Sequence, residues 1–129
     1  MNTNRNTSTL TLGAFDLETT GVDAHNDRIV TAAFIWLHPD GTHDVHEWIV
    51  DPGIEIPEGA ANVHGVTTEH AREHGMDPRQ ALMEIAALLN QAAAAELPIV
   101  GHNISYDLTL LASELQRHSL PQLDWFPVL

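Results

Sequence analysis

At 129 residues the chain is sized for one domain with a sizeable core, and its lack of cysteine excludes both a disulfide framework and a thiolate metal site. Eighteen acidic residues stand against five arginines and no lysine, and the formal net charge of -13 excludes the broad basic surface that grips nucleic acid non-specifically. A polyanionic substrate would instead have to be met at one site, through divalent cations and backbone N–H groups.

No stretch has the roughly 18 consecutive apolar residues of a membrane span, and the N-terminus lacks a signal-peptide pattern, so the sequence predicts a soluble cytoplasmic protein with no membrane partner. Residues 1–8 are polar and predicted to be a disordered lead-in to a single domain over 9–129. Alternation from Thr9 to Leu17 predicts a first strand, "RIVTAAFIWLH" (Arg28–His38) a second, and "HDVHEWIVD" after the "PDGT" turn a third, together an antiparallel meander. The two prolines and three glycines of residues 52–66 predict an irregular loop with one helical turn at most. Asp77 as N-cap and Pro78 in the first turn open the clearest helix, with Leu82, Ile85, Ala86 and Leu89 on one face. A short buried strand, "LPIVGHN", leads to a helix capped by Asn103 or Ser105 and striped by Leu108, Leu111 and Leu115; "QLDWFPVL" is expected to begin a further strand. The order β-β-β-α-β-α is an α/β pattern in which a meander precedes a crossover back to a parallel position.

The chemistry is concentrated in "AFDLETTG". On a strand, Asp16 and Glu18 project to one side and Phe15 and Leu17 to the other, so two carboxylates share one patch, a costly arrangement unless a cation neutralises it. A second acidic site, Asp107 in "GHNISYDLTLL", lies one turn into the later helix; if the crossover returns its strand beside the first, three carboxylates converge. Oxygen ligands without thiolates suit Mg²⁺ or Mn²⁺, and two such ions can clamp the oxygens of a phosphodiester undergoing in-line hydrolysis.

"FDLETTG", "HNISYD" and the intervening "IPEGAANVHGVT", in that order, resemble the DnaQ-like DEDD 3′-5′ exonucleases, which include polymerase proofreading subunits. The resemblance spans about Leu10 to Leu111. It implies a ribonuclease H-like fold with a mixed central sheet, and Asp16, Glu18 and Asp107 as catalytic acids holding two Mg²⁺ or Mn²⁺ ions. It also implies that Thr19, Thr20 and Gly21 line the pocket for the 3′-terminal nucleotide, with His64 and Asn103 near a single-stranded DNA or RNA 3′ end, and a DNA polymerase as partner. The family's third motif, His-x-Ala-x-x-x-x-Asp or its tyrosine variant, has no match after Asp107, and Asp124 does not take its place. The chain thus resembles the first two-thirds of such a domain, with the last strand and helices missing or incomplete. Weak or absent activity of the isolated chain, and self-association through an uncovered sheet edge, are the expectations that follow. A non-catalytic binding or scaffold module of the same fold, regulating or joining a polymerase, is the alternative.

Other groups read as structural. His102 helps a turn, and Trp36, Trp48 and Trp125 read as core residues rather than base-stacking platforms. His43 and His46 are three apart on a strand and project to opposite faces. His70 and His74, four apart on a short helix, make half a zinc site with no third ligand evident, and His25 adds none.

Overall fold

The computed structural model describes residues 11–124, so the lead-in at 1–8, the predicted start of the first strand at Thr9 and the tail containing Trp125 lie outside the described residues. The chain forms β1 (Leu12–Thr19), β2 (Ile29–Leu37), β3 (His43–Ile49), α1 (Glu58–His64), α2 (Thr68–His74), α3 (Pro78–Ala94), β4 (Ile99–Val100) and α4 (Ile104–Arg117). Strand order in the sheet is β3-β2-β1-β4. The predicted meander is present, β1 pairing antiparallel with β2 and β2 with β3, and β4 returns parallel to β1.

Alternation along β1 and β2 sends Phe15, Leu17, Ala32 and Phe34 into one core, where they meet Leu82, Ile85 and Leu89 of α3 and Leu108, Leu111 and Leu115 of α4. Trp48 is buried in that core and its indole N–H donates to Glu84 at 3.0 Å, which accounts for a polar-tipped ring in an apolar site. Asp77 caps α3 by accepting the Gln80 N–H, with Pro78 in the first turn, as the sequence predicts. Asn103 occupies the N-cap position of α4 but makes no side-chain cap hydrogen bond.

The loop predicted over 52–66 is a correction: α1 runs for seven residues, and the element order carries three helices between β3 and β4. Pro57 and Gly65 bracket that helix instead of interrupting it; Gly65, at φ 81°, closes it by donating to the Ala61 carbonyl. Ala60 and Ala61 pack on a second small core of Val30, Ile56, Val66 and Ala71, which gives the helix a reason to form that local propensity lacks. Val30 is available to that second core because the β1–β2 register shifts between Glu18 and Thr19, a bulge that falls where the acidic strand ends. The strand expected within 122–129 does not begin in its described part: residues 122–124 form no strand, and the Asp124 N–H donates to Asn90.

Candidate active site

β4 pairs with β1 only at Gly13 and Ala14, so the edge of β1 beyond Ala14 is left for α4 to approach. Gly101 makes that approach possible: a Cβ there would stand 2.6 Å from the Phe15 carbonyl oxygen. The turn through 101–103 then starts α4 close enough for Asp107 to take a hydrogen bond from the Leu17 backbone. Three acids are thereby brought to one neighbourhood, Asp16 exposed, Glu18 half-buried and Asp107 only 3% exposed.

Burial is the main cause that raises the Asp107 carboxyl, from an ordinary 3.8 to about 7; the charge of Asp16 adds to it, the Leu17 hydrogen bond opposes it, and Glu18 adds a smaller push. Oδ2 of Asp107 is buried with no hydrogen-bond partner. No ion pair among the described residues engages Asp16, Glu18 or Asp107. An orphaned carboxylate oxygen on a residue that feels the charges of two further carboxylates, without Cys, is a donor set whose chemistry suits a hard divalent cation such as Mg²⁺ or Mn²⁺. The three acids do not close into a metal cage: among the described residues no group of three His, Asp or Glu side chains is placed to hold one ion. Asp16 also borders two adjoining clefts on the sheet face opposite the core, one of about 440 Å³ with Ala33, Ile35, Val100 and His102, the other of about 280 Å³ with Thr31 and Glu47.

The Thr-Thr-Gly segment is a hub of hydrogen bonds at the end of β1. The hydroxyls of Thr19 and Tyr106 lie 3.0 Å apart and both donate to the Gly21 carbonyl at 2.5 Å, tying the segment to the helix that bears Asp107. Burial raises the Tyr106 phenol, the Thr19 contact opposes that, and the charges of Asp27, Asp107 and Asp23 raise it further, so it stays a protonated donor. His64 contributes from α1: Nε2 donates to the Thr19 carbonyl at 3.2 Å while Nδ1 accepts the Val66 N–H at 3.2 Å, a pairing that requires the neutral Nε2–H tautomer. Thr20 is buried at 3% exposure, its hydroxyl donating to Asp27 and accepting the Arg28 N–H, so its side chain shapes the loop from within. Asn103 is exposed at the mouth of α4. His102 is likewise exposed, on the rim of the larger cleft.

Two residues of this hub escape the motif reading. Tyr106 is signalled only by standing next to Asp107. Asp27 accepts from Thr20 and from the Asp23 N–H, and a Cβ on Gly21 would come within 2.5 Å of its Oδ2, so Gly21 is needed for that close approach. A third, Glu114, is 1% exposed and holds the far end of the loop: it accepts the Ile29 N–H at 3.2 Å and pairs with Arg117, whose other nitrogen reaches the His25 carbonyl.

The sequence pattern of the RNase T exonuclease family matches residues 14–126. Among curated proteins, the chain is 27% identical over 110 residues to the PolC-type DNA polymerase III of Streptococcus mutans and 31% identical over 111 residues to that of Streptococcus thermophilus, in both cases over 84% of this chain. It spans about 7% of the length of those polymerases. Among solved structures, the Escherichia coli exonuclease I complex with a dT13 oligonucleotide superposes at a TM-score of 0.74 with 21% identity, covering 90% of this chain and 25% of that one. The exonuclease I of Methylocaldum szegediense gives 0.70 with 22% identity, covering 84% and 24%. At such identities these neighbours establish the ribonuclease H-like fold, while the family match covers nearly the whole described chain. The chain belongs to the RNase T exonuclease family, the DnaQ-like DEDD group of the ribonuclease H-like fold.

Proposed function

We propose that this domain removes nucleotides from the 3′ end of single-stranded DNA by divalent-cation-dependent hydrolysis. The observation that carries the reading is the buried, unpartnered Oδ2 of Asp107 beside Asp16 and Glu18. Those three residues would hold the ions. When bound, Mg²⁺ or Mn²⁺ supplies Lewis acidity toward the scissile phosphate and promotes ionisation of the attacking water. The protein's part is to fix the acids on β1 and α4 and to give up the Asp107 proton as the cation arrives. Thr19 and Gly21, locked by Tyr106, and His64 behind the Thr19 carbonyl keep one wall of the terminal-nucleotide site rigid. Asn103 offers an uncommitted amide at the entrance. DNA is favoured over RNA by the polymerase relatives and by the oligonucleotide bound to E. coli exonuclease I, and a replicative polymerase is the partner proposed.

A 5′-labelled single strand incubated with Mn²⁺ should shorten stepwise from its 3′ end, slowly for want of a recognisable third motif. Crystals soaked in Mn²⁺ should show anomalous peaks at Asp16, Glu18 and Asp107 that Asp16→Asn removes. The absence of both shortening and peaks would overturn the reading. Strand binding that is indifferent to Mn²⁺ and to Asp16→Asn would point instead to a non-catalytic module.

A further inference from the structure

We propose that His70 and His74 form a two-imidazole site for a borderline divalent transition ion, Zn²⁺ or Ni²⁺, on the outer face of α2 and separate from the carboxylate site. Residues four apart on a helix stand one above the other, and the two rings are 4.7 Å apart between centroids, tilted by 45°. Metal–nitrogen bonds of about 2.0–2.1 Å at a tetrahedral ion set the centroids of two ligating rings roughly 5 Å apart, so the observed spacing needs little adjustment. Both side chains are exposed, which leaves water to complete the coordination.

The second observation lies behind one of the rings. Glu73 Oε1 is 3.2 Å from Nε2 of His74, the place taken by the carboxylate that orients a metal-bound imidazole from its far side. With Nε2 facing Glu73, Nδ1 of His74 is the atom left to bind the ion. Imidazole pairs suit Zn²⁺ and Ni²⁺ and are poor ligands for Mg²⁺, whereas the acids of β1 and α4 have the opposite preference. The chain therefore carries two sites of different hardness on different elements. An ion across the last turn of α2 would also clip a seven-residue helix whose Ala71 closes the core under Val30 and Ile56.

Titration of the purified chain with Ni²⁺ and with Zn²⁺, in excess Mg²⁺ to occupy the carboxylates, should show one ion bound per chain. His70→Ala and His74→Ala should each weaken binding by at least about tenfold, and Glu73→Gln by about tenfold, while His43→Ala and His46→Ala leave it unchanged. Paramagnetic broadening of the unmutated chain by Ni²⁺ should centre on residues 68–75, a readout that needs no variant to fold. Absence of uptake, uptake indifferent to His70→Ala and His74→Ala, or broadening centred elsewhere would overturn the proposal.

Discussion

Asp16 is the largest single charge acting on the buried carboxyl of Asp107, and together with burial it moves that group from an ordinary 3.8 to about 7. An acid whose folded-state pKa is raised holds its proton more tightly in the fold than in the unfolded chain, so ionising it costs stability as pH climbs from 3.8 through about 7. The penalty is absent below that window and complete above it. Asp107→Asn should therefore raise the melting temperature at pH 8 in EDTA and change it far less at pH 5. Excess Mn²⁺ at pH 8 should raise the melting temperature of the unmutated chain, about 2.7 kcal/mol of stability at a hundredfold excess over Kd, and leave Asp107→Asn where it was. A variant no more stable than the parent at pH 8 would mean that the fold does not hold the Asp107 carboxyl above its ordinary value.

Tyr106→Phe isolates one hydrogen bond of the hub. It keeps the ring and removes the hydroxyl from the Gly21 carbonyl and from Thr19. A stability loss of about 1 kcal/mol is expected. Because the two elements bearing the acids are joined there, weaker retention of a 3′-terminal nucleotide should accompany it, measured as a rise in Kd for a short single strand. Loss of stability without any change in Kd would restrict Tyr106 to a structural role.

Much of this architecture is readable in the chain because it is periodic. The alternation in β1 and β2 names the buried Phe15, Leu17 and Phe34, and the helical stripe names Leu82, Ile85, Leu89, Leu108, Leu111 and Leu115. The acids are legible for a related reason: a charged pair inside an apolar strand breaks its pattern on one face only. What escapes is set by contacts distant in sequence. Helix α1 forms because Ala60 and Ala61 find Val30 and Ile56, and neither Pro57 nor Gly65 announces that. Tyr106 and Glu114 act through backbone groups 85 positions away, the Gly21 carbonyl and the Ile29 N–H, and Asp27 acts through the Thr20 hydroxyl and the Asp23 N–H; such partners leave no mark in a sequence. The convergence of the acids was legible as far as their meeting in one neighbourhood.

Gly101 tests whether that neighbourhood depends on backbone proximity. A methyl group would meet the Phe15 carbonyl at 2.6 Å, a backbone atom that cannot swing aside. Gly101→Ala should cost about 1–3 kcal/mol as β4 and the start of α4 shift from β1. Asp107 would move with α4, so the stabilisation by Mn²⁺ should fall even at temperatures where the variant is fully folded. Unchanged melting and unchanged Mn²⁺ response would show that the turn has room the geometry denies.

Glu114 offers the sharpest contrast between structure and chemistry. Its carboxylate is nearly inaccessible, engaged by the Ile29 N–H and by Arg117. Glu114→Ala strips both partners at once, leaving a buried backbone donor unsatisfied and an arginine without its counter-charge, a loss of about 3–5 kcal/mol. Glu114→Gln keeps an acceptor for Ile29 and should lose less. The Arg117 side chain also holds the His25 carbonyl, so either change should loosen residues 21–28 first, seen as faster amide hydrogen exchange there than in α3. Uniform acceleration across the whole chain would assign Glu114 to global stability alone, and the loop carrying Gly21 would then owe its position to Asp27 and Tyr106.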